Sequence, residues 1–132
     1  MTTWAGSCHC GDVRFEVDGE IDEVLDCNCS ICKKKGLLHW IVTPDRFRLL
    51  AGEQALTTYT FGTGIAKHTF CRRCGVQPFY QPRSHPGRID VNARCLDGVD
   101  VATLDIRAFD GRADWERSRR NLPTEPPESP ED

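Results

Sequence analysis

The sequence predicts a mostly β domain of antiparallel strands, stapled by zinc-binding turns and with little helix. Three observations carry this prediction. Short segments that alternate apolar and polar residues succeed one another along the chain. Eight of the 132 residues are cysteine, and seven of those fall into three tight groups. Glycine directly follows two of the groups. The length fits one domain.

Residues 13–17 (VRFEV), 38–42 (LHWIV) and 46–50 (RFRLL) alternate apolar and polar side chains, as strands with one buried face do. Residues 56–61 (LTTYTF) are rich in β-branched and aromatic types and run into the turn Gly62-Thr63-Gly64. Residues 67–70 lead into the last cysteine pair and residues 76–80 lead out of it. Residues 88–92 (RIDVN) and 104–109 (LDIRAF) complete the strands. Only residues 114–120 have helical character, with Asp114 as the N-cap.

Composition then changes. Residues 121–132 hold Glu125, Glu128, Glu131 and Asp132, no base, and half of the chain's eight prolines. Such a segment buries too little apolar surface to become ordered. The expected division is a single zinc-binding domain over residues 1–120 and a disordered acidic tail over residues 121–132. The tail's four acids outweigh the net charge of −3, which leaves the folded part close to neutral. No field therefore favours nucleic acid or an anionic membrane as partner. No apolar run approaches the ~20 residues of a membrane-spanning helix. The opening residues lack a secretory pattern, so the expected location is cytoplasmic.

The cysteines are Cys8, Cys10, Cys27, Cys29, Cys32, Cys71, Cys74 and Cys95. An even count permits a disulfide framework. A reducing compartment keeps thiols free, however, and near neighbours bridge each other poorly. Metal binding is the stronger reading. Two thiolates on a tight turn can face one ion at ~2.3 Å each, and a following glycine lets the backbone turn with positive φ. Cys10-Gly11 and Cys74-Gly75 have this form. Cys8, Cys10, Cys71 and Cys74 then make one closed four-thiolate zinc site, joining the first strand to the middle of the chain.

Cys27, Cys29 and Cys32 differ, being three thiolates with no glycine-bearing partner pair. Three protein ligands and an open position describe a catalytic zinc, so the expected content is two Zn2+ per chain. The competing reading closes this site with Cys95 or, at lower weight, His39 or His68. Lys33, Lys34, Lys35, Arg72 and Arg73 stand beside the thiolates in sequence. They offset thiolate charge and form an anion-binding rim, or else they are a solvated face. Asn28-Cys29-Ser30 matches a glycosylation acceptor only by coincidence, given the flanking cysteines.

Gly6-Ser7-Cys8-His9-Cys10-Gly11-Asp12-Val13, the Cys27-x-Cys29-Ser30-x-Cys32 run, Phe70-Cys71-x-x-Cys74-Gly75 and Cys95-Leu96-Asp97 come in a fixed order. Together they resemble the glutathione-dependent formaldehyde-activating enzyme family. Residues 26–35, Thr57-Thr58-Tyr59-Thr60-Phe61 and Asp114-Trp115-Glu116 are similar to its centromere protein V branch. The resemblance implies a β-tent fold with a structural zinc on Cys8, Cys10, Cys71 and Cys74. It implies a catalytic zinc on Cys27, Cys29 and Cys32, and a carbon–sulfur lyase reaction that condenses glutathione with formaldehyde. Its expected substrates are a glutathione-like thiol and a small aldehyde, with Lys33, Lys34, Lys35 or Arg94 meeting the thiol's carboxylates. A non-catalytic interaction module, its second site closed by Cys95, is the alternative. A redox-sensing thiol cluster is a third.

Overall fold

A computed structural model describes residues 2–110; the helix expected over residues 114–120, the boundary at Arg120 and the tail lie outside the described residues. Ten strands form three sheets among the described residues. The first sheet pairs β1 (Thr3–Ser7), β2 (Arg14–Asp18) and β5 (Phe47–Ala51), with β2 in the middle. The second orders β10 (Asp105–Phe109), β3 (Glu23–Cys27), β4 (His39–Val42), β9 (Ile89–Asn92) and β8 (Phe79–Tyr80). The third is the pair β6 (Leu56–Tyr59) and β7 (His68–Cys71). The expected mostly β class is observed.

Alternation works as the residues dictate. On β2, Phe15 and Val17 are buried while Arg14, Glu16 and Asp18 turn outward. Phe15 packs in a ring cluster, 5.4 Å from Phe47 and 5.9 Å from Phe79. Around it lie Val17, Val24, Trp40, Val42, Val91 and Leu96, the main core. Val24, Trp40, Val42, Val91 and Phe79 all belong to one face of the five-stranded sheet, because Trp40 pairs with Val91 and Phe79 pairs with Val91. The opposite face is left for other duty. Among the described residues no helix is long and apolar enough to cross a membrane.

Several expectations are corrected. The strand expected from residue 46 starts at Phe47, because Pro44 opens a 3-10 turn over Pro44–Arg46. The segment 76–80 pairs only at Phe79–Tyr80, since Pro78 has no N–H to give a ladder. One pair is parallel: β10 runs alongside β3, from Asp105↔Glu23 to Phe109↔Cys27. A short helix, α1 (Ser30–Lys35), follows β3 and was not expected. It occupies the middle cysteine group.

Gly52 shows how closely the sheets approach the first thiol turn. It stands at φ 95°, and a Cβ there would meet the carbonyl oxygen of Asp12 and come within 2.7 Å of Val13 Cα. Both obstacles are backbone, so nothing flexible can give way. Gly52→Ala is expected to destabilise the fold by about 2–3 kcal/mol. Chemical denaturation checks it; an unchanged midpoint would show that this segment can shift.

Candidate metal centre and cavity

Two turns build the first thiol cluster. The Cys8 N–H donates to the Val13 carbonyl at 3.0 Å, folding residues 8–13 back on themselves. The Cys71 N–H donates to Val76 O at 2.9 Å, and Gly75 N–H to Cys71 O at 2.7 Å. Gly11 and Gly75 take φ 86° and 81°, the left-handed turn expected after each pair. The sulfurs of Cys8, Cys10, Cys71 and Cys74 all lie within 4.8 Å of one another. Cys10 Sγ is 3.7 Å from both Cys8 Sγ and Cys71 Sγ. A tetrahedral ion with ~2.3 Å bonds to sulfur needs S···S edges of about 3.8 Å, so the donors fit such an ion. Burial would raise the Cys74 thiol, but the backbone N–H groups of Val76 and Cys10 and neighbouring thiols bring it down to about 6. The Asp12 backbone N–H lowers Cys10; burial and the thiols of Cys8, Cys71 and Cys74 outweigh it and push Cys10 up to about 12.

The second cluster stands at the end of β3 and the start of α1. Cys27 ends the strand, Cys29 caps the helix with extended backbone, and Cys32 lies three residues on, inside the first turn. A spacing of three puts Cys29 and Cys32 on one side of the helix, and the three sulfurs lie within 4.8 Å of one another. Hydrogen bonds from the Cys27 and Cys32 thiols pull the Cys29 thiol down to about 2 against its burial. The same sharing pushes Cys27 up to about 11 and Cys32 higher still. This soft donor set suits zinc.

The sheet face opposite the core meets this cluster. Leu25 pairs with His39, Ile41 with Asp90, and Asp90 with Tyr80, so these residues share the face that carries Cys27. They floor a cavity of about 340 Å3 into which Cys29 and Cys32 also open. Phe109, held beside Cys27 by the parallel pair, forms one wall. His68 covers the floor, stacked between Phe61 at 5.7 Å and Tyr80 at 4.6 Å.

Two hydrogen-bond networks stand behind the cavity. His39 Nδ1 is 2.7 Å from Asp90 Oδ2 and 3.3 Å from the Tyr80 hydroxyl. Burial would lower the His39 pKa, but the charge and hydrogen bond of Asp90 raise it overall. Lys35 Nζ donates to Gln77 Oε1 at 2.6 Å, and Gln77 Nε2 lies 3.2 Å from His68 Nδ1. Burial lowers the His68 pKa, and the Lys35 charge adds to that.

A family model described as glutathione-dependent formaldehyde-activating enzyme matches residues 3–110. The chain belongs to that family. A crystal structure of a Rhodobacter sphaeroides protein is similar to it, at 35% identity and a TM-score of 0.71. That match covers 78% of this chain and 99% of the other. The family's description carries formaldehyde activation, and the two cysteine clusters give this member places for metal.

Other expected site residues fall elsewhere. Cys95 does not join the second cluster. It sits on a 3-10 turn (Ala93–Cys95) against the main core, its Sγ 4.0 Å from the Gln77 carbonyl. Burial pushes its thiol up to about 12, and the nearby charges are those of Cys8 and Cys74, members of the first cluster. Lys33 and Lys34 are exposed, and Arg94 donates from Nε to the Gly36 carbonyl at 3.0 Å. Lys35 is taken by Gln77 and lies over the Phe70 ring. None of these four cations lines the cavity; Arg83 does. His39 and His68 come to the cavity as hydrogen-bonded residues and are not members of the thiol cluster. Sequence reasoning missed Tyr80, Arg83 and Asp90 as cavity residues. One signal was available, the acid Asp90 between Ile89 and Val91 in a strand-like segment.

Proposed function

We propose that this protein is a zinc-dependent carbon–sulfur lyase-type enzyme that joins a thiol, glutathione or one like it, to formaldehyde or a related small carbonyl. The observation that carries the reading is the contrast between the two clusters. Four thiols complete one, while three thiols at the other open on a cavity that a substrate can enter. Zinc on Cys27, Cys29 and Cys32 supplies an electrophilic centre that lowers the pKa of a bound thiol. The chain itself does the rest. Leu25, Ile31, Ile41 and Phe109 give the cavity an apolar lining that excludes water from the reacting groups. Arg83 is the lysine or arginine that lines the cavity among the described residues, and it meets a carboxylate of the incoming thiol.

The test is the rate of formaldehyde loss with glutathione, after subtraction of a protein-free control, on protein whose metal content is measured. Two zinc ions per chain and a rate above the control support the reading. Two ions with no excess rate would sink it.

Arg83→Ala is expected to raise KM for glutathione about tenfold with kcat little changed, the mark of lost uniform binding. Lys33→Ala should leave both constants unchanged, since Lys33 is exposed and does not line the cavity. Steady-state kinetics on the two variants separate them, and the reverse pattern would restore Lys33 as the anion contact.

A further inference from the structure

The two histidines of the cavity are held in opposite tautomers by partners that leave no choice. Asp90 accepts at His39 Nδ1, so in the neutral ring that nitrogen carries the proton and the lone pair is on Nε2. His39 is 5% exposed, and its Nε2 is buried with no hydrogen-bond partner among the described residues. A buried acceptor in that condition is destabilising, and a partner arriving in the cavity would offset this. At His68 the order reverses. The Lys35 ammonium can only donate, which fixes Gln77 Oε1 as acceptor and leaves Gln77 Nε2 to donate to His68 Nδ1. The His68 proton is then on Nε2. Both rings pack on Tyr80, one edge-on at 5.8 Å and one stacked at 4.6 Å. Two rings lining one cavity thus carry a lone pair and an N–H at Nε2, each ring with its own buried orienting group.

We propose that His39 and His68 divide the proton handling of the condensation, His39 Nε2 taking the thiol proton and His68 Nε2–H binding the carbonyl oxygen. This rests on the function proposed above. The thiol S–H bond breaks and its proton passes to His39 Nε2. The sulfur pair forms the new S–C bond while the C=O π pair moves onto oxygen, which accepts a hydrogen bond from His68. The proton on His39 then passes to that oxygen. Thiol and aldehyde become a hydroxymethyl thioether, with nothing oxidised or reduced and no proton gained or lost. Asp90, Gln77 and Lys35 are positioning residues.

Three measurements test this. Nitrogen-15 spectra of histidine-labelled wild-type protein read the tautomers directly, and need neither activity nor a variant. Nδ1–H at His39 and Nε2–H at His68 are expected; the reverse at either overturns the assignment. Next, glutathione is bound without aldehyde to zinc-loaded protein at pH 8 in weak buffer with an indicator dye. Wild type should keep the thiol proton, and His39→Gln should release nearly one proton more per thiol bound. Equal release overturns the role of His39 alone, whereas no glutathione binding by wild type overturns the underlying function and this assignment with it. Finally, His39→Gln and His68→Leu should each lower kcat about 100-fold with two zinc ions retained and KM for glutathione within twofold. A kcat within threefold of wild type for either removes that residue from the chemistry.

Discussion

Cys71→Ser is expected to yield no stably folded protein. Cys71 is fully buried, ends β7 and packs with Cys8, Val13 and Ala55 in a small core of its own. The four-thiol cluster ties the turn at residues 8–13 to the turn at residues 71–76, so losing one ligand unties the first sheet from the small one. A closed four-thiolate zinc site supplies on the order of 10 kcal/mol, as much as the net stability of a whole domain. The substitution also strands three thiols, one buried and two half-buried, with no ion to share. Soluble yield, near-ultraviolet circular dichroism and metal content check it. A Cys71→Ser protein with wild-type melting temperature and metal content would remove the cluster as the staple of the fold.

Cys29→Ser is expected to do the opposite: keep the fold and lose the chemistry. Cys29 is the N-cap of α1, and serine is a better N-cap than cysteine, so the helix keeps its start. Cys27 and Cys32 stay packed with Leu37, Tyr80 and Phe109. Metal content should fall by one ion per chain, stability should change by no more than about 1–2 kcal/mol, and the excess rate over the protein-free control should disappear. If the variant unfolds as Cys71→Ser does, the three-thiol cluster is structural and the proposed enzyme loses its centre.

What could be read from the residues alone follows from how local each signal is. Strand β2 was legible because Phe15 and Val17 face a core while Arg14, Glu16 and Asp18 do not. The thiol turns were legible because the glycine after each pair is a requirement of the turn itself. Strand β1 was not, because Ala5, Gly6 and Ser7 give no alternation; a Cβ at Gly6 would come within 2.8 Å of Phe15 Cε1. Strand β3 was missed, and its pairing with β10 is parallel and comes from far along the chain. Helix α1, at six residues, is too short to show a period. The cavity suffered most. His39, His68, Tyr80, Arg83 and Asp90 are scattered through the chain; His39, Tyr80 and Asp90 meet through the register of β4, β8 and β9, while His68 comes from β7 and Arg83 from the segment after β8. The lysine triplet drew notice because it stands next to Cys32 in sequence, yet α1 turns Lys33 and Lys34 out to solvent.

The span of the first thiol cluster also sets a timetable for synthesis. Cys10 meets Cys71 across 61 residues, and a ribosome adding ~5–20 residues per second needs about 3–12 s to supply the second half. The wall beside the second cluster comes later again, since Asn28 is bonded to Asp110, 82 residues on. Until both stretches have emerged, Cys8 and Cys10 lack the second pair of their site, and the buried faces of β2 and β3 lack their partners. A chain so dependent on contacts distant in sequence folds slowly and late. Its yield during expression is therefore expected to track the metal free in the cell when residues 71–110 emerge.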